Sequence, residues 1–141
     1  MTFVELATSA KARRGRLETP HGTVETPAFM AVGTRGAVRM LDSRDLAEAG
    51  SEMVLANTYH LMLRPGAEVV ADLGGLHGFM GWPGPILTDS GGYQVFSLEP
   101  EITEDGARFR STYDGTAISM TPEESMRVQQ LLGADIAMVF D

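Results

Sequence analysis

The chain has 141 residues, 43% of them hydrophobic and 21% charged, which fits one ordinary globular domain without disordered or low-complexity tracts. No apolar run reaches the ~18 residues of a transmembrane helix, and the basic N-terminal segment lacks the apolar stretch of a secretory leader, so a cytoplasmic protein with no membrane partner is expected. The absence of cysteine removes disulfide frameworks and thiolate metal sites, and a net charge of −8 with a pI near 4.8 runs against a phosphate-neutralising surface. The one basic cluster, Lys11, Arg13, Arg14 and Arg16, reads more readily as a solvated hairpin than as an RNA contact.

In chain order, Phe3 to Ala28 reads as an antiparallel lead-in with turns at Arg14-Gly15 and His21-Gly22. Phe29 to Gly33 reads as a buried strand. Asp42 or Ser43 caps a helix through Leu46 and Ala47 that Gly50 ends. Met53 to Ala56 is the next strand, running into the polar Asn57-Thr58-Tyr59-His60, and a helix from Ala67 to Leu73 stops at Gly74-Gly75. Pro85 to Thr88 forms a third strand that opens onto Asp89-Ser90-Gly91-Gly92-Tyr93. Ile102 to Met120 alternates polar and apolar residues around Glu104-Asp105-Gly106 and Asp114-Gly115, the pattern of an inserted hairpin or meander. Thr121-Pro122-Glu123-Glu124 is a strong helix start, with Thr as cap and Pro first, and the helix runs to Gly133. Asp135 to Phe140 is a fourth strand, with Asp141 after it.

Repeated strand-helix units predict an α/β fold with a parallel sheet. An open doubly wound sheet and a (β/α)8 barrel both fit this string. Polar residues close successive strands at Thr34, Asn57, Asp89 and Asp141, and barrel enzymes gather their chemistry on that face, which leans toward the barrel. About four parallel strands are present where a barrel has eight. The expectation is therefore an N-terminal half-barrel behind an antiparallel hairpin lead-in, with residues 1–141 as part of a single domain. Such a piece would expose sheet edges and an apolar face and tend to associate.

The segment most informative for chemistry is TDSGGYQVFSL, Thr88 to Leu98. Asp89 follows the strand directly, where a parallel strand meets the mouth of a site. Gly91 and Gly92 let backbone N–H groups approach a planar or anionic ligand, and Tyr93 offers a face for stacking. Spacing alone supports equally a tight turn in which Asp89 merely caps the next helix. His60, lacking a partner motif, reads as structural; His21 and His77 lie beside turn glycines. Asp42, Asp45, Asp105 and Asp114 read as caps and turn residues, and the nine methionines as core filling.

The same segment resembles the signature of the tRNA-guanine transglycosylases. TPAFMAVGT (Thr26 to Thr34), LANTYHLMLRPG (Leu55 to Gly66), LGGLHGFMGW (Leu73 to Trp82) and LGADIAMVFD (Leu132 to Asp141) resemble further blocks of that family, in its order. One departure is Ala31, where many members carry proline. The resemblance implies a (β/α)8 barrel with a late zinc-binding insertion. It also implies a pentosyltransferase of queuosine biosynthesis that replaces guanine at the tRNA wobble position with a 7-deazaguanine, preQ1 or queuine, through a covalent ribosyl-enzyme intermediate.

Carried over by position, the resemblance makes Asp89 the proton acceptor for the incoming base. Ser90, Gly91 and Gly92 line the base pocket, and Tyr93 stacks on the flipped base. Asp141 accepts hydrogen bonds from the N–H edge of guanine, and Asn57 sits where an amide could orient a carboxylate. The family's nucleophile, its structural Zn2+ ligands and most of its tRNA surface belong to positions beyond Asp141, so no metal ligands are expected here. The partners expected are tRNA, the purine base and a second copy in a full-length homodimer, and this chain alone is expected to be inactive. A second reading is a non-catalytic partner subunit or split-gene fragment that acts only with another chain. A third is an α/β fragment whose caps and turns imitate a site. Having Asp89, Tyr93 and Asp141 together favours the enzyme.

Overall fold

A computed structural model describes residues 1–140. The chain begins with β1 (Thr2–Ser9), β2 (Ala12–Thr19) and β3 (Gly22–Thr26), a three-stranded antiparallel sheet in that order. The first turn falls at Ala10-Lys11, not at Arg14-Gly15. Gly15 lies inside β2 because the Phe3 ring occupies the space a Cβ would need, beside a bulge between Glu5 and Ala7. Arg14 and Arg16 on β2 both pair with Glu25 of β3, at 3.1 and 2.7 Å, so the basic cluster is partly neutralised within its own sheet.

A parallel sheet follows, made of β4 (Ala31–Gly33), β5 (Val54–Ala56), β6 (Ile86–Thr88) and β10 (Ile136–Ala137), in the spatial order β10-β6-β5-β4. The crossovers are helical: α1 (Ser43–Glu48) between β4 and β5, then α2 (Thr58–Leu63), α3 (Ala67–Asp72) and α4 (Gly75–Met80) before β6. After β6 come α5 (Gly92–Phe96), the antiparallel meander β7 (Glu101–Thr103), β8 (Gly106–Arg110) and β9 (Ala117–Met120), and α6 (Pro122–Leu132). Phe29 is 83% exposed and lies outside β4, which is an edge strand of the described sheet, so the buried strand expected over Phe29 to Gly33 is shorter and less covered. Likewise β10 is regular only at Ile136–Ala137.

The longest helix obeys its sequence signals. Thr121 Oγ1 accepts from Glu124 N–H at 3.1 Å, Pro122 opens the helix, and Gly133 closes it at φ +68°. Asp42 and Asp45 form a reciprocal capping box on α1. Leu46, Val54, Leu61, Val70, Leu76, Trp82, Ile86, Val128 and Leu132 make one core between helices and sheet. Each such aliphatic side chain contributes about 1.5–3 kcal/mol on burial. A second core, around Tyr59, Val95, Ala107, Phe109 and Met120, packs the meander beside the C-terminal end of β6.

The N-terminal end of the parallel sheet is held by Asp135. Its fully buried carboxylate accepts from Ile86 N–H at 2.9 Å and His21 N–H at 3.2 Å, and lies 2.8 Å from His21 Nδ1. The His21 and His77 rings stack at 3.6 Å. His77 Nε2 approaches Asp135 to 3.3 Å without hydrogen-bond alignment and has no other partner. Burial acts to raise the Asp135 pKa, but the Ile86 and His21 hydrogen bonds outweigh it and leave the carboxyl below its usual range. His77 is also lowered, first by burial and then by His21, against the pull of Asp135.

Both shifts favour the forms present at neutral pH, the Asp135 anion and the neutral His77 ring. Their stabilisation is complete above unfolded pKa values of about 3.9 for Asp135 and 6.5 for His77 and is lost as pH falls through the lower folded values. Unfolding midpoints in denaturant should therefore drop on acidification, first below about pH 6.5 and again in the carboxylate range. Asp135→Ala should cost about 1–3 kcal/mol at pH 7 by leaving the buried Ile86 N–H unpaired. A midpoint that rises with acid would contradict this.

Candidate active site

Asp89 follows β6 at the opposite end from Asp135. The parallel register pairs Val54 with Ile86 and Ala56 with Thr88, and Asp89 N–H donates to Ala56 C=O at 3.2 Å. Asn57 and Thr58, which continue β5, therefore stand beside Asp89. Asn57 Nδ2 donates to Asp89 Oδ2 at 2.5 Å, Thr58 N–H to Oδ1 at 3.0 Å and Gly91 N–H to Oδ1 at 3.1 Å. Thr58 Oγ1 donates to the Asp89 carbonyl. Asn57 is itself fixed, since its Oδ1 accepts from His60 N–H at 3.0 Å as the cap of α2. Burial pushes the Asp89 carboxyl above its usual range against the hydrogen bonds of Thr58, Gly91 and Asn57, which favour the anion.

A cavity of about 230 Å³ adjoins this carboxylate, lined by Asp89, Ser90, Gly91, Gly92, Tyr93, Gln94, Met138 and Val139. Gly91 caps α5 at φ +81°, and a side chain there would press on Tyr59 and Met120 at 3.2–3.3 Å. Ser90 is buried, and its Oγ accepts from Gly92 N–H at 3.2 Å while its carbonyl accepts from Ser125 Oγ at 2.8 Å. Tyr93 is 80% exposed at the rim, leaving its ring free for a planar ligand. Of the residues expected at the site, Asp89, Ser90, Gly91, Gly92 and Tyr93 line one cavity and Asn57 reaches it through Asp89. Asp141 lies outside the described residues; Met138 and Val139, shortly before it, form the opposite wall.

Thr58, Tyr113 and Gln129 also belong to the surroundings and escaped the sequence reading. His60 Nδ1 lies 3.1 Å from the Tyr113 hydroxyl. Its pKa is lowered first by burial and then by Arg35, while Asp89 opposes. The Asn-x-x-His spacing of a helix cap was the available signal for the role of Asn57 at the start of α2.

Among the described residues, His21, His77 and Asp135 are the one trio whose donor atoms lie within 4.8 Å of one another. Their rings stack with an interplanar angle of 19°, so an ion between them would sit out of both ring planes. Asp135 hydrogen-bonds to His21, and His77 joins the pair by stacking on the His21 ring. With no cysteine in the chain, a thiolate zinc centre does not fit these residues.

The site thus combines, on an α/β fold, a hydrogen-bonded acid with an open aromatic face at a strand's C-terminal end. A family model described as Queuine tRNA-ribosyltransferase matches residues 8–141, and the chain belongs to that family. The Queuine tRNA-ribosyltransferases of Pseudomonas putida and Azotobacter vinelandii are each 58% identical over all of this chain, and that of Methylobacillus flagellatus is 54% identical. The chain spans 38–39% of the length of these relatives.

Because Asn57 stabilises the anion, Asn57→Ala should raise the Asp89 pKa further, as read by carboxyl-carbon NMR titration, and weaken the α2 cap by about 1 kcal/mol. An unchanged or lowered Asp89 titration would remove Asn57 from this role.

Proposed function

We propose that this chain supplies the front part of a tRNA base-exchange centre, in which guanine at the wobble position is replaced by a 7-deazaguanine in queuosine biosynthesis. The carrying observation is the half-buried carboxylate of Asp89, raised in pKa and aimed by three donors, beside a cavity with Tyr93 at its rim. The unbroken strand order β4-β5-β6-β10 shows no reversal of the kind that marks a doubly wound sheet, which supports an arc of a (β/α)8 barrel with β1–β3 as its lead-in.

Cleavage of an N-glycosidic bond passes through an oxocarbenium-like state, and two carboxylates accomplish it with retention. A nucleophilic carboxylate from outside these residues attacks the ribose anomeric carbon, and guanine leaves with a proton from the protonated Asp89 carboxyl, which is left as the anion. The incoming base then attacks the same carbon, expels the enzyme carboxylate and gives its ring N–H proton to Asp89. A carboxylate with raised pKa is the better proton acceptor, closer to the operating pH. Tyr93 stacks on the base, which must leave its helix for the chemistry, while Ser90, Gly91 and Gly92 form the floor. Asp141 takes the donor edge of guanine, where an acceptor-only group fits adjacent N–H donors.

In this reading tRNA is the macromolecular substrate, and phosphate contacts come largely from outside the chain, as its charge of −8 requires. The structural zinc and the second copy of the homodimer likewise involve residues elsewhere.

The test is a chimera in which this chain replaces the matching part of the Pseudomonas putida relative. Wild type should incorporate labelled guanine into tRNA, and Asp89→Asn should lose about 10²–10⁴-fold in rate with an unchanged melting profile. This chain alone should incorporate none. Turnover retained by Asp89→Asn would end the assignment.

A further inference from the structure

Gln129 is a polar side chain on the core face of α6, 2% exposed, between Val128 and Leu132 in the wall of the main core. A buried amide in apolar surroundings is costly unless fully paired, and here its groups all have partners. Oε1 accepts from Thr88 Oγ1 at 2.9 Å and from Met138 N–H at 2.9 Å. Nε2 donates to Met138 C=O at 2.9 Å and to Ser125 Oγ at 3.2 Å. Beyond Ile136–Ala137 one direct bond to β6 remains, Met138 N–H to Thr88 C=O at 3.2 Å, and beside it the Gln129 amide engages both backbone groups of Met138.

The two strand segments joined by this amide flank the base cavity. Thr88 immediately precedes Asp89, and Met138 lines the cavity wall facing it. Ser125, one turn before Gln129 on the same face, donates to Ser90 C=O at 2.8 Å. Through two side chains four residues apart, α6 thus touches the chain before Asp89, the chain after it and the opposite wall.

We propose that Gln129, assisted by Ser125, is a positioning residue that sets the width of the base pocket by fixing the end of β6 against the segment Met138–Phe140. It touches no substrate and acts through Thr88, Ser90 and Met138. The proposal rests on the base-exchange reading of this cavity.

The test uses the same chimera and measures KM and kcat for the incoming base. Gln129→Met keeps the volume but leaves Met138 C=O unpaired and Thr88 Oγ1 and Met138 N–H with only their weaker bonds, to Ile136 C=O at 3.3 Å and Thr88 C=O at 3.2 Å. It should raise KM for the base about tenfold or more, since displacements near 1 Å are enough for losses of that order, and kcat should change less. Val128→Ala, a core truncation in the same helix turn, should lower the melting temperature and leave KM unchanged.

Gln129→Glu supplies a second readout, which serves also if the methionine variant fails to fold. A protonated glutamic acid can accept from Thr88 and Met138 N–H and donate to Met138 C=O, whereas the anion faces that carbonyl with no proton. Burial raises a carboxyl pKa, so KM relative to wild type should approach unity at acid pH and climb as pH rises. A Gln129→Met enzyme with wild-type KM, a matching KM rise in Val128→Ala, or a pH-independent Gln129→Glu ratio would each overturn the positioning role. A wild-type chimera that exchanges no base would instead overturn the reading beneath it.

Discussion

The structure turns on the parallel register between β5 and β6. Pairing Ala56 with Thr88 carries Asn57 and Thr58 past the end of one strand to meet Asp89 past the end of the other. A one-residue slip would reverse the faces of Ile86, Leu87 and Thr88 and turn the acid away from its donors. The register is itself specified by burial, since Val54, Ala56, Ile86 and Thr88 are all fully covered. The hydrophobic core thus decides where a charge can be held.

Two aspartates at opposite ends of this sheet illustrate what environment does to one side chain. Asp135 is buried completely yet held below its usual pKa by Ile86 and His21, and it ties the first antiparallel sheet to the start of β6. Asp89 has three donors and is nevertheless raised, because desolvation outweighs them. The first arrangement favours a permanent anion and suits a structural tie. The second holds a carboxyl whose proton affinity is raised by burial, at the rim of a cavity, which suits chemistry. The acidic balance of the chain fits the same division: Arg14 and Arg16 of the basic cluster are engaged by Glu25, leaving the large phosphate-binding surface to other parts of the proposed enzyme.

Much of this was legible in the sequence. Caps at Asp42 and Thr121, the stop at Gly133, the strands at Val54 and Ile86 and the meander after Ile102 all follow from local signals. The cluster from Asp89 to Tyr93 stood out because chemistry-bearing residues directly follow an apolar strand. The misses share a cause. Helices α4 and α5 begin at glycines with positive φ, Gly74 and Gly91, and a glycine pair reads locally as a stop when tertiary packing supplies the continuation. Gly15 reads as a turn until the Phe3 ring is seen across it. His21, His77 and Asp135 are far apart in the chain and meet only once the sheet has formed. No local motif marks Gln129, and only its partners show what its inward amide joins.

The central claim is that Asp89 meets the exchanging base. The most direct measurement is a crystal structure of the chimera with guanine bound. A purine nitrogen should lie within about 2.6–3.2 Å of an Asp89 carboxylate oxygen, with the ring stacked on Tyr93. Guanine lodged away from this cavity, or in it with the Asp89 carboxylate turned wholly toward Asn57 and Thr58, would contradict it.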